Sequence, residues 1–248
     1  MKISLITVTF NAADTIELCI NSVISQQYPN LEYIIIDAQS ADDTLIIANK
    51  YKKHIHYIIS EPDNGIYDAM NKGIKQATGD IIGLLNADDH FAENDILKTI
   101  NNMFETTGAD AVYGDVDYID KREKVIRKWQ AGVYKHGAFN KGWMPPHPSF
   151  YVKKELFNKF GLYNPQYGSA TDYELMLRFI HVHKIKVEYL NKVVVKMLIG
   201  GVSNKSIKNR ISAWKNDFKA MRTNGLSFPY IAIVLKPLRK ITQYINIK

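Results

Sequence analysis

The sequence predicts an α/β fold: a mostly parallel sheet flanked by helices, a small antiparallel section after it, and a C-terminal helical tail. Short apolar, β-branched runs alternate with segments of helical periodicity up to Leu85. The runs end in polar residues, where parallel sheets place their ligands. From Lys205 onward the composition shifts to basic and aromatic residues.

Ile3 to Phe10 is a continuous apolar and β-branched run, as expected of a strand covered on both faces. Asp14 to Gln27 places Ile16, Ile20, Val23 and Ile24 at helical spacing. Tyr33 to Ile36 reads as a second strand ending in Asp37. Ser40-Ala41-Asp42-Asp43 has the shape of a helix start, with Ile46, Ile47 and Tyr51 on one face. Ile55 to Ile59 is a third strand, Ile66 to Ala77 a helix stopped by Gly79, and Ile81 to Leu85 a fourth strand. Ala111 to Trp129 alternates around the charged turn Asp120 to Lys124, as a hairpin does. Lys153 to Phe160 and Asp172 to His183 read as helices, with Gly161 ending the first. Val187 to Leu198 supplies one or two further strands.

Composition narrows the function classes. The 248 residues, 46% hydrophobic, suffice for one sizeable core with a small appendage. Cys19 is the single cysteine, which excludes an internal disulfide and a cysteine metal site; its apolar neighbours predict a buried, inert thiol. The N-terminus lacks a signal-peptide shape and Tyr230 to Leu235 is too short to span a bilayer, so the chain reads as cytoplasmic. Residues 205–248 hold ten Lys/Arg against Asp217 alone, within a chain of net charge +7, so the preceding residues are mildly acidic.

Asn86-Ala87-Asp88-Asp89 follows the fourth strand directly. Carboxylates crowded at the end of a buried strand repel one another and lose hydration, which a hard, oxygen-seeking cation relieves. The competing reading is a polar turn in which Asp88 or Asp89 caps the next helix. There is no G-x-G-x-x-G after the first strand and no Walker loop, which disfavours dinucleotide and P-loop ATP binding.

Five blocks carry a resemblance in order and spacing: Ile6-Thr7-Val8-Thr9-Phe10-Asn11; Ile34-Ile35-Ile36-Asp37; Ser60-Glu61-Pro62-Asp63-Asn64-Gly65 running through Ile66-Tyr67-Asp68-Ala69-Met70-Asn71-Lys72-Gly73; Ala77-Thr78-Gly79-Asp80; and Asn86-Ala87-Asp88-Asp89. Thr171-Asp172-Tyr173-Glu174 adds a second acidic motif. The chain resembles family 2 glycosyltransferases over roughly residues 3–203. The resemblance implies a GT-A-type, Rossmann-like fold and transfer of a sugar from a nucleotide diphosphate, expected to be UDP, with inversion. Mn²⁺ or Mg²⁺ is the implied cofactor. The acceptor is expected to be a hydroxyl of a glycan or lipid-linked molecule in cell-surface polysaccharide synthesis. Residues 1–204 would form the catalytic domain, with 1–110 the nucleotide-binding half and 111–204 the acceptor-binding half.

Residue by residue, the resemblance assigns Asp37 to the nucleotide base and Thr9 and Asn11 to the uridine pocket. Asp63, Asn71 and Lys72 go to the donor site. Each has a plainer reading: Asp37 as a turn cap near Ser40, Thr9 and Asn11 as partners of turn backbone, Asp63 as part of a Pro-Asp-Asn-Gly turn, and Lys72 as a solvated lysine. The family has Asp-x-Asp where this chain has Asn86, so Asp88 becomes the metal ligand, with Asp89 in support. Asp172 is the expected general base, although the family's Glu-Asp is Thr171-Asp172 here and Asp172 would also suit the cap of its own helix. His147 and Trp143 are expected on the acceptor side, against a packed loop histidine and a core tryptophan. Ser203, after Gly200-Gly201, would close over the donor.

In the tail, Ile207, Ile211, Trp214, Phe218 and Met221 fall at helical spacing among basic residues. Such a segment suits peripheral contact with an anionic membrane, packing onto the domain, or a homodimer contact. Nucleic acid is a poorer fit, because no binding module accompanies the charge. The rival functions are a non-catalytic nucleotide-sugar-binding scaffold, kept open by Asn86 and Thr171, and a nucleotidyltransferase.

Overall fold

The computed structural model describes residues 1–199 and 207–244. Strands β1 (Ile3–Thr9), β2 (Leu31–Asp37), β3 (Tyr57–Ser60) and β4 (Ile81–Leu84) lie parallel, connected by α1 (Ile16–Ile24), α2 (Thr44–Lys50) and α3 (Ile66–Gln76). Every residue of β1 is buried because both sheet faces are covered, which is why its sequence is apolar without alternation. Ile6, Val8, Ile34 and Ile36 face one core, and Ile3, Leu5, Tyr33 and Ile35 the other.

The second half completes a nine-stranded sheet. It contributes β5 (Asp89–Phe91), α4 (Ile96–Thr107), β6 (Ala111–Ile119), β7 (Val125–Trp129), β8 (Tyr151–Lys153), α5 (Lys154–Phe160), α6 (Thr171–Met176) and β9 (Val187–Leu198). The order is β3-β2-β1-β4-β8-β6-β9-β5, with β7 paired to β6 as the expected hairpin. Strand β8 enters antiparallel between β4 and β6, so close that a Cβ on Gly83 would collide with the Tyr151 ring.

Several details depart from the sequence expectations. Ile46 is exposed, and Thr44 and Ala48 are the residues that α2 buries. Neither Asp88 nor Asp89 caps a helix: Asp89 opens β5, opposite Met197 of β9, and the next helix begins at Ile96. Helix α6 widens after Met176 into a π-helical turn over Leu177–Val182.

The tail forms α7 (Ile207–Thr223), α8 (Pro229–Leu238) and a 3₁₀ turn at Ile241–Tyr244. Ala220, Met221, Leu226 and Ala232 are buried in the same core cluster as α6. Lys236 pairs with Asp217 at 2.5 Å, and its ammonium lies 3.7 Å from the centre of the Tyr173 ring. The tail therefore packs against the preceding residues, with the Phe218 and Tyr230 rings in tilted contact at 5.0 Å. Trp214, Ile211, Phe228, Ile231, Val234, Leu238 and Ile241 remain exposed. No helix among the described residues is long and apolar enough to cross a membrane.

Candidate active site

The parallel strands end together on one edge, with Thr9 in register with Asp37. Asp37 is fully buried and accepts from the Ser40 amide at 3.0 Å, the Ser40 hydroxyl and the Ser60 hydroxyl at 2.6 Å. Three of a carboxylate's roughly four acceptor positions are thus filled. Asn11, at a positive φ of 48°, accepts from Ala41 N–H at 2.9 Å and donates its own N–H to Ser40 at 2.8 Å. Asn11 and Asp37 together fix the loop after β2. Thr9 is different: its hydroxyl is buried and has no hydrogen-bond partner among the described residues.

Asp63 accepts from Gly65 N–H at 2.8 Å, closing the turn before α3. Asn71 is consumed structurally, donating to Tyr163 C=O at 2.8 Å and accepting from Tyr163 N–H at 3.0 Å. Lys72 pairs with Glu61 at 2.9 Å and donates to Pro62 C=O, and the Glu61 contact raises its pKa. These contacts hold the Asn71 and Lys72 side chains in place in this arrangement.

The acidic motif holds an unusual carboxyl. Asp89 is 1% exposed; Asn86 donates to one of its oxygens at 3.0 Å, and the other oxygen has no hydrogen-bond partner among the described residues. Burial, then the neighbouring Asp88 charge, hold Asp89 well above the ordinary carboxylate range. Asp88 is open to solvent, yet desolvation by surrounding protein raises its pKa too. Cys19 lies beneath, 3.5 Å from Asn86 C=O, with its thiol pushed by burial to about 12, so it is inert as expected.

A divalent cation fits these residues. The orphaned Asp89 oxygen is an unmet demand for positive charge, and Asp88 stands beside it. No group of three His, Cys, Asp or Glu able to hold a metal exists among the described residues. Two neighbouring carboxylates are ligands of the kind that Mn²⁺ or Mg²⁺ take together with water and substrate oxygens. Asp89→Asn should therefore stabilise the metal-free protein by about 1–2 kcal/mol, roughly 2–8 °C in Tm, while weakening metal binding. The sign follows from the raised folded pKa: the contribution of Asp89 is fully present below its unfolded value and is lost as pH rises through the folded one. Differential scanning calorimetry at neutral pH with EDTA checks this; a lower Tm for the variant would contradict it.

Asp172 sits in the first turn of α6, half-buried, and accepts from Tyr173 N–H at 2.7 Å. Its charge reaches Tyr67, Tyr163, His147 and Tyr118. Tyr118 feels Asp89 as well, so the two acidic motifs flank one region. His147 is buried, with Nε2 2.7 Å from the Tyr163 hydroxyl; burial lowers its pKa against the opposing effect of Asp172. The Tyr163 ring stacks on Tyr67 at 5.7 Å. Trp143 lies in the core: it donates to Ala131 C=O at 2.8 Å, and Tyr113, Tyr134 and Phe139 cover its ring, leaving no face for a sugar. Ser203, with Gly200 and Gly201, lies outside the described residues. Sequence reasoning passed over Tyr67, Tyr163 and Tyr118; Tyr67 stood inside a quoted block, but nothing local marked its part.

Residues 4–164 match the sequence profile described as Glycosyl transferase family 2. The chain belongs to that family. A PGL/p-HBAD biosynthesis glycosyltransferase of Mycobacterium bovis is 31% identical over 206 residues, covering 81% of this chain and 78% of that protein. Among solved structures, S. aureus TarS 1-349 in complex with UDP-GlcNAc superimposes with a TM-score of 0.70 at 18% identity, covering 90% of this chain. This chain spans 65% of that fragment. The mannosyltransferase PcManGT from Pyrobaculum calidifontis, in complex with GDP-Man and Mn²⁺, gives a TM-score of 0.68 at 18% identity, covering 98% of this chain and 72% of that one. These likenesses establish the GT-A-type fold of this family 2 glycosyltransferase.

Proposed function

We propose that this family 2 glycosyltransferase is an inverting enzyme that uses Mn²⁺ or Mg²⁺ and moves a sugar from a nucleoside diphosphate, expected to be UDP, to a hydroxyl of a glycan or lipid-linked acceptor. Synthesis of a cell-surface polysaccharide at the cytoplasmic face of the membrane is the setting. The observation that carries this reading is the buried Asp89 oxygen without a partner beside Asp88, at the edge where the parallel strands end. When bound there, the cation would offset the charge developing on the departing diphosphate. Asp88 and Asp89 would hold it, and Thr9 and Asp37 would line the base pocket. Asp172, across Tyr118 from Asp89, would accept the proton of the attacking acceptor hydroxyl on the face opposite the leaving group, which produces inversion.

TarS was solved with UDP-GlcNAc and PcManGT with GDP-Man, so both nucleotides belong in the donor panel. Residues 1–204 are proposed as the catalytic domain. The tail's exposed Trp214, Ile231, Val234 and Leu238, beside Arg210, Lys215 and Arg239, support its resting on an anionic membrane surface. Incubation with UDP- and GDP-sugars plus Mn²⁺, with nucleoside diphosphate measured, tests the reaction. Release from one donor, accelerated by an acceptor, is the expected result. Binding without turnover across the panel would point to a scaffold, and pyrophosphate release from a nucleoside triphosphate to a nucleotidyltransferase.

A further inference from the structure

Arg127 of β7 belongs to none of the motifs above. Its Nε donates to Gln243 Oε1 at 2.6 Å, tying the strand to the C-terminal 3₁₀ turn. Its guanidinium carbon lies 4.2 Å from the centre of the Tyr118 ring, 5.6 Å from that of Trp129 and 5.7 Å from that of Tyr244. The Nη2 group is buried and has no hydrogen-bond partner among the described residues. No carboxylate among the described residues lies within ion-pair distance of Arg127. A guanidinium held in place by aromatic rings and one neutral bond, with a donor left over, is an anion site in its chemistry.

A second cation stands near it: Lys240 C=O accepts from Gln243 N–H at 3.2 Å, in the turn whose Gln243 side chain holds Arg127. Lys240 is exposed as a residue, but the protein packed around its ammonium, then the charges of Lys236 and Arg127, lowers its pKa, while Asp217 and Asp172 oppose the shift. Asp217 is already committed to Lys236. Arg127 and Lys240 are therefore two poorly compensated positive charges on the Asp172 side of the cleft, which matches the charge of roughly −1.5 to −2 on a phosphate monoester.

Register places this pair apart from the donor metal site. Asp89 is opposite Met197, Met197 opposite Tyr118, and Tyr118 opposite Arg127, three strand steps in one row. At about 4.8 Å per step, Arg127 stands on the order of 14 Å from Asp89 along the sheet.

We infer that Arg127 and Lys240 form a phosphate-binding subsite for the acceptor, so that the acceptor carries a phosphate group close to the hydroxyl that Asp172 activates. This rests on the glycosyltransfer reading above. The exposed apolar residues Leu238 and Ile241 adjoin Lys240 in sequence, so a phosphate that bears a lipid is the acceptor chemistry this segment suits.

The test uses the full chain and two titrations by calorimetry. Inorganic phosphate with EDTA, at ionic strength held constant with chloride, probes the proposed subsite; UDP with Mn²⁺ probes the donor site. Saturable phosphate binding is expected, weakened about tenfold in Arg127→Gln and in Lys240→Gln. Asp88→Ala should leave it unchanged, and Arg127→Gln should leave UDP affinity unchanged. Lys240 is at the surface, so its variant reports even if loss of Arg127 unsettles the fold. Absence of phosphate binding, or binding insensitive to both cation variants, overturns the subsite. So does a loss of UDP affinity in Arg127→Gln, which would assign Arg127 to the donor. Failure of the wild type to bind UDP while phosphate binding holds would instead strike the glycosyltransfer reading.

Discussion

Asp172→Asn is expected to lower kcat by about 10²–10⁴-fold, the usual contribution of a positioned general base, while leaving affinity for the nucleotide and metal within about twofold. The amide keeps the volume and the acceptor oxygen that receives Tyr173 N–H, so helix α6 should retain its start. What it loses is the capacity to take a proton. His147 is an alternative base within the influence of Asp172, but its Nε2 is engaged by the Tyr163 hydroxyl and the ring is buried. Stopped assays of nucleoside diphosphate release, with calorimetry on the same preparations, separate the two quantities. A variant retaining more than about a tenth of wild-type kcat would remove Asp172 from the role.

Glu174→Ala is the substitution expected to cost most stability, about 3–5 kcal/mol, or roughly 6–20 °C in Tm. Glu174 is 3% exposed and binds Arg178 through both oxygens, at 2.9 and 3.2 Å. Arg178 in turn donates to the carbonyls of Phe160, Gly161 and Leu162, where α5 ends, and Asn224 of the segment after α7 reaches Glu174 at 3.4 Å. Removing the carboxylate strands a desolvated guanidinium among carbonyls that cannot neutralise it. Replacing both partners by apolar residues, Glu174→Leu with Arg178→Met, should recover much of the loss, because no unpaired charge remains. Thermal unfolding of the three proteins decides it: equal losses in the single and double variants would show that the pair's charge is not the cause. Asp172 lies two residues before Glu174, so the same pair also steadies the candidate base.

The part of the fold legible in the sequence was the part written by local patterns. Strands β1, β2 and β4 are buried on both faces, and burial on both faces produces an unbroken apolar run. The hairpin of β6 and β7 announced itself through alternation and a charged turn. Strands β5 and β8 did not, because each has three residues and exists only through partners distant in sequence. Trp143 illustrates the same limit: an aromatic in a proline-rich loop reads equally as a sugar platform or as core, and only the surrounding Tyr113, Tyr134 and Phe139 distinguish them.

The site divides likewise. Asp88, Asp89 and Asp172 were visible as motifs, whereas the orphaned Asp89 oxygen depends on β5 entering the sheet beside β9. Asn71 and Lys72 looked available from their positions, and their partners Tyr163 and Glu61 are tertiary facts. Arg127 gave no signal at all, since its setting is completed by Gln243, 116 residues away.

The proposed function requires that Asp88 and Asp89 hold a cation that in turn holds the donor's diphosphate. Calorimetric titration of UDP and GDP into wild type and Asp88→Ala, each with Mn²⁺ and with EDTA, measures it. Wild type should bind one nucleotide with an affinity that falls at least tenfold when EDTA replaces Mn²⁺, and Asp88→Ala should bind weakly and indifferently to the metal. If Asp88→Ala binds nucleotide with the same Mn²⁺-dependent affinity as wild type, the cation does not sit on Asp88 and the central assignment is wrong.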